Sequence, residues 1–310
     1  MKDLVIISGP TAVGKSKAAI SLCKKIGGSV ISADSMQVYR GMDIGTAKLS
    51  KEEMEDIPHY LIDVADPADD FNIATFKQMA EDAIENVYAH KRIPVITGGT
   101  GFYIQSVLYD TDFSIGDELS GFRQEMYDLI SKKGSAYVHD MLKEADPEAA
   151  SLIHPNDHKR IIRALEYNRQ TGEKISAHNS MSANKKSPYR FCYFFLTDDR
   201  EAIYDRINRR VDEMMKKGLV DEVRKLSQTG LTAKNVSMHG LGYKEIMEYL
   251  EGAISLDEAV RLIKQGSRHY AKRQLTWARR TKDIITLDIR HGDIIQQMYD
   301  ELKKKGIVNG

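Results

Sequence analysis

Apolar residues fall into two alternating patterns along the chain. Short solid runs at Leu4 to Ser8, Val30 to Ala33, Ile93 to Thr97, Phe191 to Leu196 and Ile284 to Leu287 read as buried strands. Between them the apolar spacing changes to three and four. Ala19, Leu22, Cys23 and Ile26 predict a helix over residues 15–26. Ile73, Phe76, Ala80, Ala83 and Val87 predict another, capped by Asn72 and running to His90. Strands that alternate with helices argue for a parallel α/β sheet. Between residues 113 and 187 only helical spacing and loops occur. This break predicts a helical insertion, 113–190, in a core made of 1–112 and 191–310. The insertion closes on SAHNSMSANKKSP, whose polar residues predict a mobile loop. Beyond Asp198 the pattern is mostly helical and strongly charged.

The chain has 310 residues, 42% of them apolar, which suffices for a large core and a second domain. Basic and acidic residues number 45 each. A net charge of zero leaves a nucleic-acid partner open, because binding needs only a local basic patch. Cys23 and Cys192 lie far apart without metal-ligand spacing, so reduced, buried thiols of a cytoplasmic protein are expected. The apolar stretch Leu4 to Ile7 is too short for a signal peptide, and no 18-residue apolar span exists. No membrane association is expected, and no obligate protein partner is evident.

GPTAVGKS, residues 9–16, fits the phosphate-loop pattern G-x-x-x-x-G-K-[ST] at every position. Backbone amides from Gly9, Thr11, Ala12, Val13 and Gly14 can turn toward phosphate oxygens, Lys15 adds a point charge, and Ser16 can bind Mg²⁺. A strand before the loop and an amphipathic helix after it make the core P-loop NTPase-like. The motif is specific for phosphate and silent about which phosphate compound.

In open parallel sheets, ligands sit beyond the carboxyl ends of strands. Asp34 follows the second strand and Thr100 the third, in the loop GGTG, so Ser16, Asp34 and Thr100 are expected to converge. Taken alone, Asp34 is open to three readings: a turn acid, a metal ligand through water, or a base. An ATP-dependent kinase of a nucleoside or small metabolite is the first function these bare residues support. Further along, Arg206 and Arg210 lie four apart on one helix face. They are open to two readings, a clamp on a diphosphate or a ladder with Asp205, Asp212 and Glu213. NDHKRIIRALE, residues 156–166, sets Arg160 and Arg163 one turn apart opposite an apolar face. RHYAKRQLTWARRTK, residues 268–282, interleaves six cations with Tyr270 and Trp277 and contains no acid. Cations for a backbone and rings for bases suit RNA, although an amphipathic helix with a buried Trp fits equally.

GPTAVGKS, DSMQVY, GTAK, PHYLID, GGTGFYI, DHKRIIRALE, GLGYKE and YAKRQLTW occur in that order between Val5 and Arg280. In this the chain resembles the bacterial tRNA dimethylallyltransferases, also called tRNA isopentenyltransferases. Tyr60 is a departure, standing where members often carry a second histidine after His59. The resemblance implies transfer of a dimethylallyl group from dimethylallyl diphosphate to N6 of adenosine 37, in the tRNA anticodon stem-loop. It makes Asp34 and Thr100 catalytic together with Lys15. It places the diphosphate on residues 9–16 and Arg210, with Mg²⁺ at Ser16. It also implies tRNA contacts at Asp34, Ser35, Met36, Gln37, Thr100, Arg123, His158, Lys159, Arg160, Arg163, Lys272, Arg273 and Trp277.

Overall fold

The computed structural model describes residues 1–109, 120–183 and 185–308. Six strands form one parallel sheet: β1 (Lys2–Ser8), β2 (Gly28–Ser32), β3 (His59–Tyr60), β4 (Ile93–Gly98), β5 (Tyr189–Thr197) and β6 (Ile284–Asp288). Their order is β3-β2-β4-β1-β5-β6. Leu4, Val5, Ile6 and Ile7 are all fully buried. Successive strand residues point to opposite faces, so β1 is covered on both sides, which is why its sequence is a solid apolar run. Register sets the strand ends level. Ser8 pairs with Gly98 and Phe195, and Ser32 pairs with Thr97. The loops that follow β1, β2 and β4 therefore start side by side. The edge strand β3 escapes sequence reading because two residues carry no periodicity.

The first helices are α1 (Lys15–Ile26), α2 (Ile73–Ala89) and α3 (Gly101–Leu108). Asn72 caps α2 as expected, its side chain accepting from the Thr75 amide.

The chain divides into two compact units, 1–108 with 188–310, and 109–187. The boundary expected at 112/113 lies outside the described residues. The smaller unit holds α4 (Ser120–Lys133), α5 (Ser135–Ala145), α6 (Pro147–Leu152), α7 (His158–Thr171) and α8 (Ile175–Ala183). Its own core contains Phe122, Met126, Val138, Leu142, Ile161 and Leu165. Where a mobile loop is expected, residues 175–183 instead form helix α8. Buried Asp146 accepts from the Ser176 amide at 2.9 Å and from its hydroxyl at 2.7 Å. That tertiary anchor overrides a polar composition.

The larger unit resumes with β5, then α9 (Arg200–Lys216), α10 (Leu219–Gln228), α11 (Tyr243–Leu250), α12 (Leu256–Ala278), β6 and α13 (Ile294–Lys304). Cys23 and Cys192 are free and buried. Burial pushes their thiols up to about 12 and about 11, which makes them poor nucleophiles. No described helix is long and apolar enough to cross a membrane.

Candidate active site

The phosphate loop leaves β1 and turns into α1 at Gly14, whose φ of 100° lies in the left-handed region that favours glycine. No side chain caps α1, so its first amides remain available to an anion. Lys15 folds back on the loop, donating to the carbonyls of Gly9 at 3.0 Å and Pro10 at 2.9 Å. Burial and then the Arg210 charge push its ammonium down to about 8, with Asp34 opposing. Arg210 reaches the same place from α9 and donates to the Thr46 carbonyl at 3.3 Å. Its guanidinium too is pushed down by burial, against the attraction of Asp34 and Glu213. Two desolvated cations thus stand together at the loop, an arrangement that suits a polyanion.

The arginine pair divides its labour. Arg206 holds buried Asp198 at 2.5 Å and donates to the Ala12 carbonyl at 3.1 Å. It fixes the loop from outside, and of the two arginines only Arg210 lines the cavities described below.

Asp34 sits just past β2. Its Oδ1 accepts from the amides of Met36 at 2.9 Å and Gln37 at 3.4 Å, an Asx turn that fixes the carboxylate. No donor among the described residues holds Oδ2. The Gln37 carboxamide is held at both ends, Oε1 accepting from Ser32 Oγ at 3.2 Å and Nε2 donating to the Thr46 carbonyl at 3.3 Å. An amide has two N–H groups and two lone pairs, so one of each remains for a ligand.

Thr100 is anchored by its amide on the Ala33 carbonyl at 3.3 Å. It lines neither cavity described below, and its hydroxyl is hydrogen-bonded to the Tyr270 phenol. Burial and the Asp34 charge push that phenol up to about 12, so Tyr270 remains a proton donor.

Two cavities meet at Thr11, Asp34 and Arg210. The polar one is lined by Gly14, Lys15, Ser16 and Gln37. The other has apolar walls of Ile207, Val211, Met214, Leu241 and Ile263, and also includes Ser35 and Met36. A ligand anionic at one end and apolar at the other suits the pair, with Asp34, Arg210, Tyr270 and Arg273 adding polar groups to the second cavity. Among the described residues no cluster of three His, Cys, Asp or Glu could hold a metal alone. Ser16 and Asp34 nonetheless line the polar cavity as oxygen donors, the kind Mg²⁺ takes when phosphate and water complete its shell.

The expected tRNA contacts divide. Lys272 and Arg273 are exposed on α12. Trp277 is half-buried, its ring 4.6 Å from that of exposed Phe102 and its Nε1 buried without a partner among the described residues. In the smaller unit Lys159 and Arg160 are exposed, and His158 meets Ser135 Oγ at 2.7 Å. Arg123 binds fully buried Glu166 through two bonds of 2.8 Å, and Arg163 reaches the same carboxylate at 3.5 Å. Both arginines therefore have a structural partner: the i,i+3 spacing of Arg163 and Glu166 suggests one pair, whereas nothing in the sequence suggests the bond from Arg123.

Sequence reading misses the groups that shape the site. Glu222 accepts from three successive amides, Asp43, Ile44 and Gly45, and from the Tyr243 hydroxyl at 2.6 Å. It thereby sets the Thr46 carbonyl that Arg210 and Gln37 share. Lys48 is buried between Asp43, Asp63 and the Tyr39 carbonyl. The motifs GTAK, PHYLID and GLGYKE thus meet in one support.

A family model described as IPP transferase matches residues 37–281. A tRNA dimethylallyltransferase from Lachnoclostridium phytofermentans is 50% identical over 312 residues, covering 99% of this chain and 100% of that one. The crystal structure of a tRNA isopentenylpyrophosphate transferase from Bacillus halodurans is 42% identical with a TM-score of 0.74, covering 98% and 97% of the two chains. A eukaryotic dimethylallyltransferase acting on tRNA is 28% identical with a TM-score of 0.82, covering 99% and 80%. Matched along almost its whole length by enzymes of one kind, the chain belongs to the IPP transferase family.

Proposed function

We propose that the protein transfers the dimethylallyl group of dimethylallyl diphosphate to N6 of adenosine 37 in the anticodon stem-loop of tRNA, in the cytoplasm. The observation that carries this reading is the pair of cavities sharing Asp34 and Arg210. The polar cavity suits a diphosphate, and the apolar one suits a five-carbon group better than a ribose or further phosphates. Family membership and the names of the relatives support the same chemistry.

In the reaction the bond from the allylic carbon to the bridging oxygen breaks, and the diphosphate departs with the electron pair. Lys15, the α1 amides and Arg210 neutralise the charge that gathers on it. Mg²⁺ held by Ser16 would add positive charge to the leaving group. N6 forms the new bond to carbon and gives its proton to Oδ2 of Asp34. The remaining N–H and lone pair of Gln37 match N7 and N6 of an adenine drawn out of its stack. Tyr270, bonded to Thr100 and lining the apolar cavity with Asp34, steadies the amine.

The test uses purified protein, radiolabelled dimethylallyl diphosphate and total tRNA. Label is expected in tRNA that carries A37 and none in tRNA that lacks it. Phosphate transfer from ATP to a nucleoside without RNA would instead establish a kinase.

A further inference from the structure

We propose that Gln274 is a positioning residue that fixes the separation between the phosphate loop and the turn carrying Thr100. The proposal rests on the transfer reaction above and adds to it a group that touches neither substrate. Gln274 lies on α12 and is 7% exposed. A buried carboxamide is costly unless both its ends are bonded. Here they are bonded to two different loops. Oε1 accepts from the Thr11 amide at 2.9 Å, and Nε2 donates to the Gly99 carbonyl at 3.0 Å. These loops leave the level ends of neighbouring strands β1 and β4, and Gln274 spans the gap between them.

Its surroundings fit this single task. Tyr270, Gln274 and Trp277 follow helical spacing and lie on one face of α12. The Tyr270 phenol donates to the same Gly99 carbonyl at 3.3 Å. A Cβ on Gly99 would stand 2.2 Å from Gln274 Nε2, and one on Gly101 would stand 2.4 Å from Trp277 Nε1. Thr100 is thus held between two glycines whose bareness lets α12 lie against the turn. Thr11 gives its amide to Gln274, so this part of the loop is set by the helix and not by the anion. Thr11 lies where the two cavities meet, and Thr100 is bonded to Tyr270, which lines the apolar one. One rigid carboxamide therefore governs how far N6 stands from the allylic carbon, and a misplacement of about 1 Å can cost about 10²-fold in rate.

The experiment compares wild type with Gln274→Met, which keeps length but loses both bonds, and Gln274→Asn, which cannot reach both loops. Single-turnover transfer should fall by about 10- to 100-fold in each. KM for dimethylallyl diphosphate and tRNA affinity should stay within about threefold, a difference of under 1 kcal/mol. Hydrogen exchange at the Thr11 amide should speed up in both variants. A lower melting temperature with an unchanged rate per folded molecule would mean a merely structural residue and overturn the proposal. So would undiminished Thr11 protection. If wild type itself transfers nothing, the functional reading fails, and Thr11 exchange still decides whether Gln274 holds the loop.

Discussion

Lys15 carries its charge at some cost, since burial and Arg210 hold its ammonium near 8. An anion binds the protonated form and raises that pKa. The sign follows: affinity for dimethylallyl diphosphate is full below about 8 and falls as the pH rises past it. An ordinary lysine would keep its affinity up to about 10.5. Calorimetric titration across that range should show the fall, and Lys15→Arg, which stays charged, should flatten it. A wild-type affinity constant up to pH 10 would place Lys15 away from the anion. Asp34 offers a second test. Asp34→Asn keeps the shape and the Asx turn but cannot accept the N6 proton. Single-turnover transfer should slow by at least about 10²-fold with both substrates still bound. If Asp34 mainly held Mg²⁺, excess Mg²⁺ would restore most of the rate, and near-complete restoration would remove it as the base.

At the scale of elements, α12 and α7 carry cations whose duties differ. Lys272 and Arg273 are exposed, so the double change to alanine should weaken tRNA binding. The salt slope of log K should fall by about 0.9 or less for each phosphate no longer neutralised. An unaltered slope would assign both cations to the helix surface alone. Arg123 is bonded twice to buried Glu166. Arg123→Ala leaves that carboxylate with the longer bond from Arg163 and should destabilise the insertion by about 1–3 kcal/mol in urea unfolding. An unchanged midpoint with weaker tRNA binding would make Arg123 an RNA contact only.

These helices also mark what the sequence can and cannot disclose. The strand runs, the Asn72 cap and the phosphate loop are local patterns, and local physics determines them. Gln274 and Glu222 act on backbone more than 170 residues away, and no spacing along the chain reports such a bond. The face shared by Tyr270, Gln274 and Trp277 is the available signal, masked by the cations between them. Helix α8 escapes the sequence for the same reason, since its anchor, Asp146, lies 30 residues upstream.

At the scale of the molecule, a fold with a nucleotide-type phosphate loop serves transfer of a carbon group. Level strand ends bring Ser16 and Asp34 to one cavity, while α9, α12 and the residues after the short turn Val236–His239 close the apolar cavity beside it. The most direct test follows both products in one reaction of wild-type protein, Mg²⁺, dimethylallyl diphosphate and tRNA. Nucleoside digestion locates the transferred group while released inorganic diphosphate is measured in the same sample. The account predicts one diphosphate released for each adenosine 37 alkylated at N6, with ATP unable to replace the prenyl donor. Unmodified tRNA, with the terminal phosphate of ATP passing to a small acceptor, would contradict it.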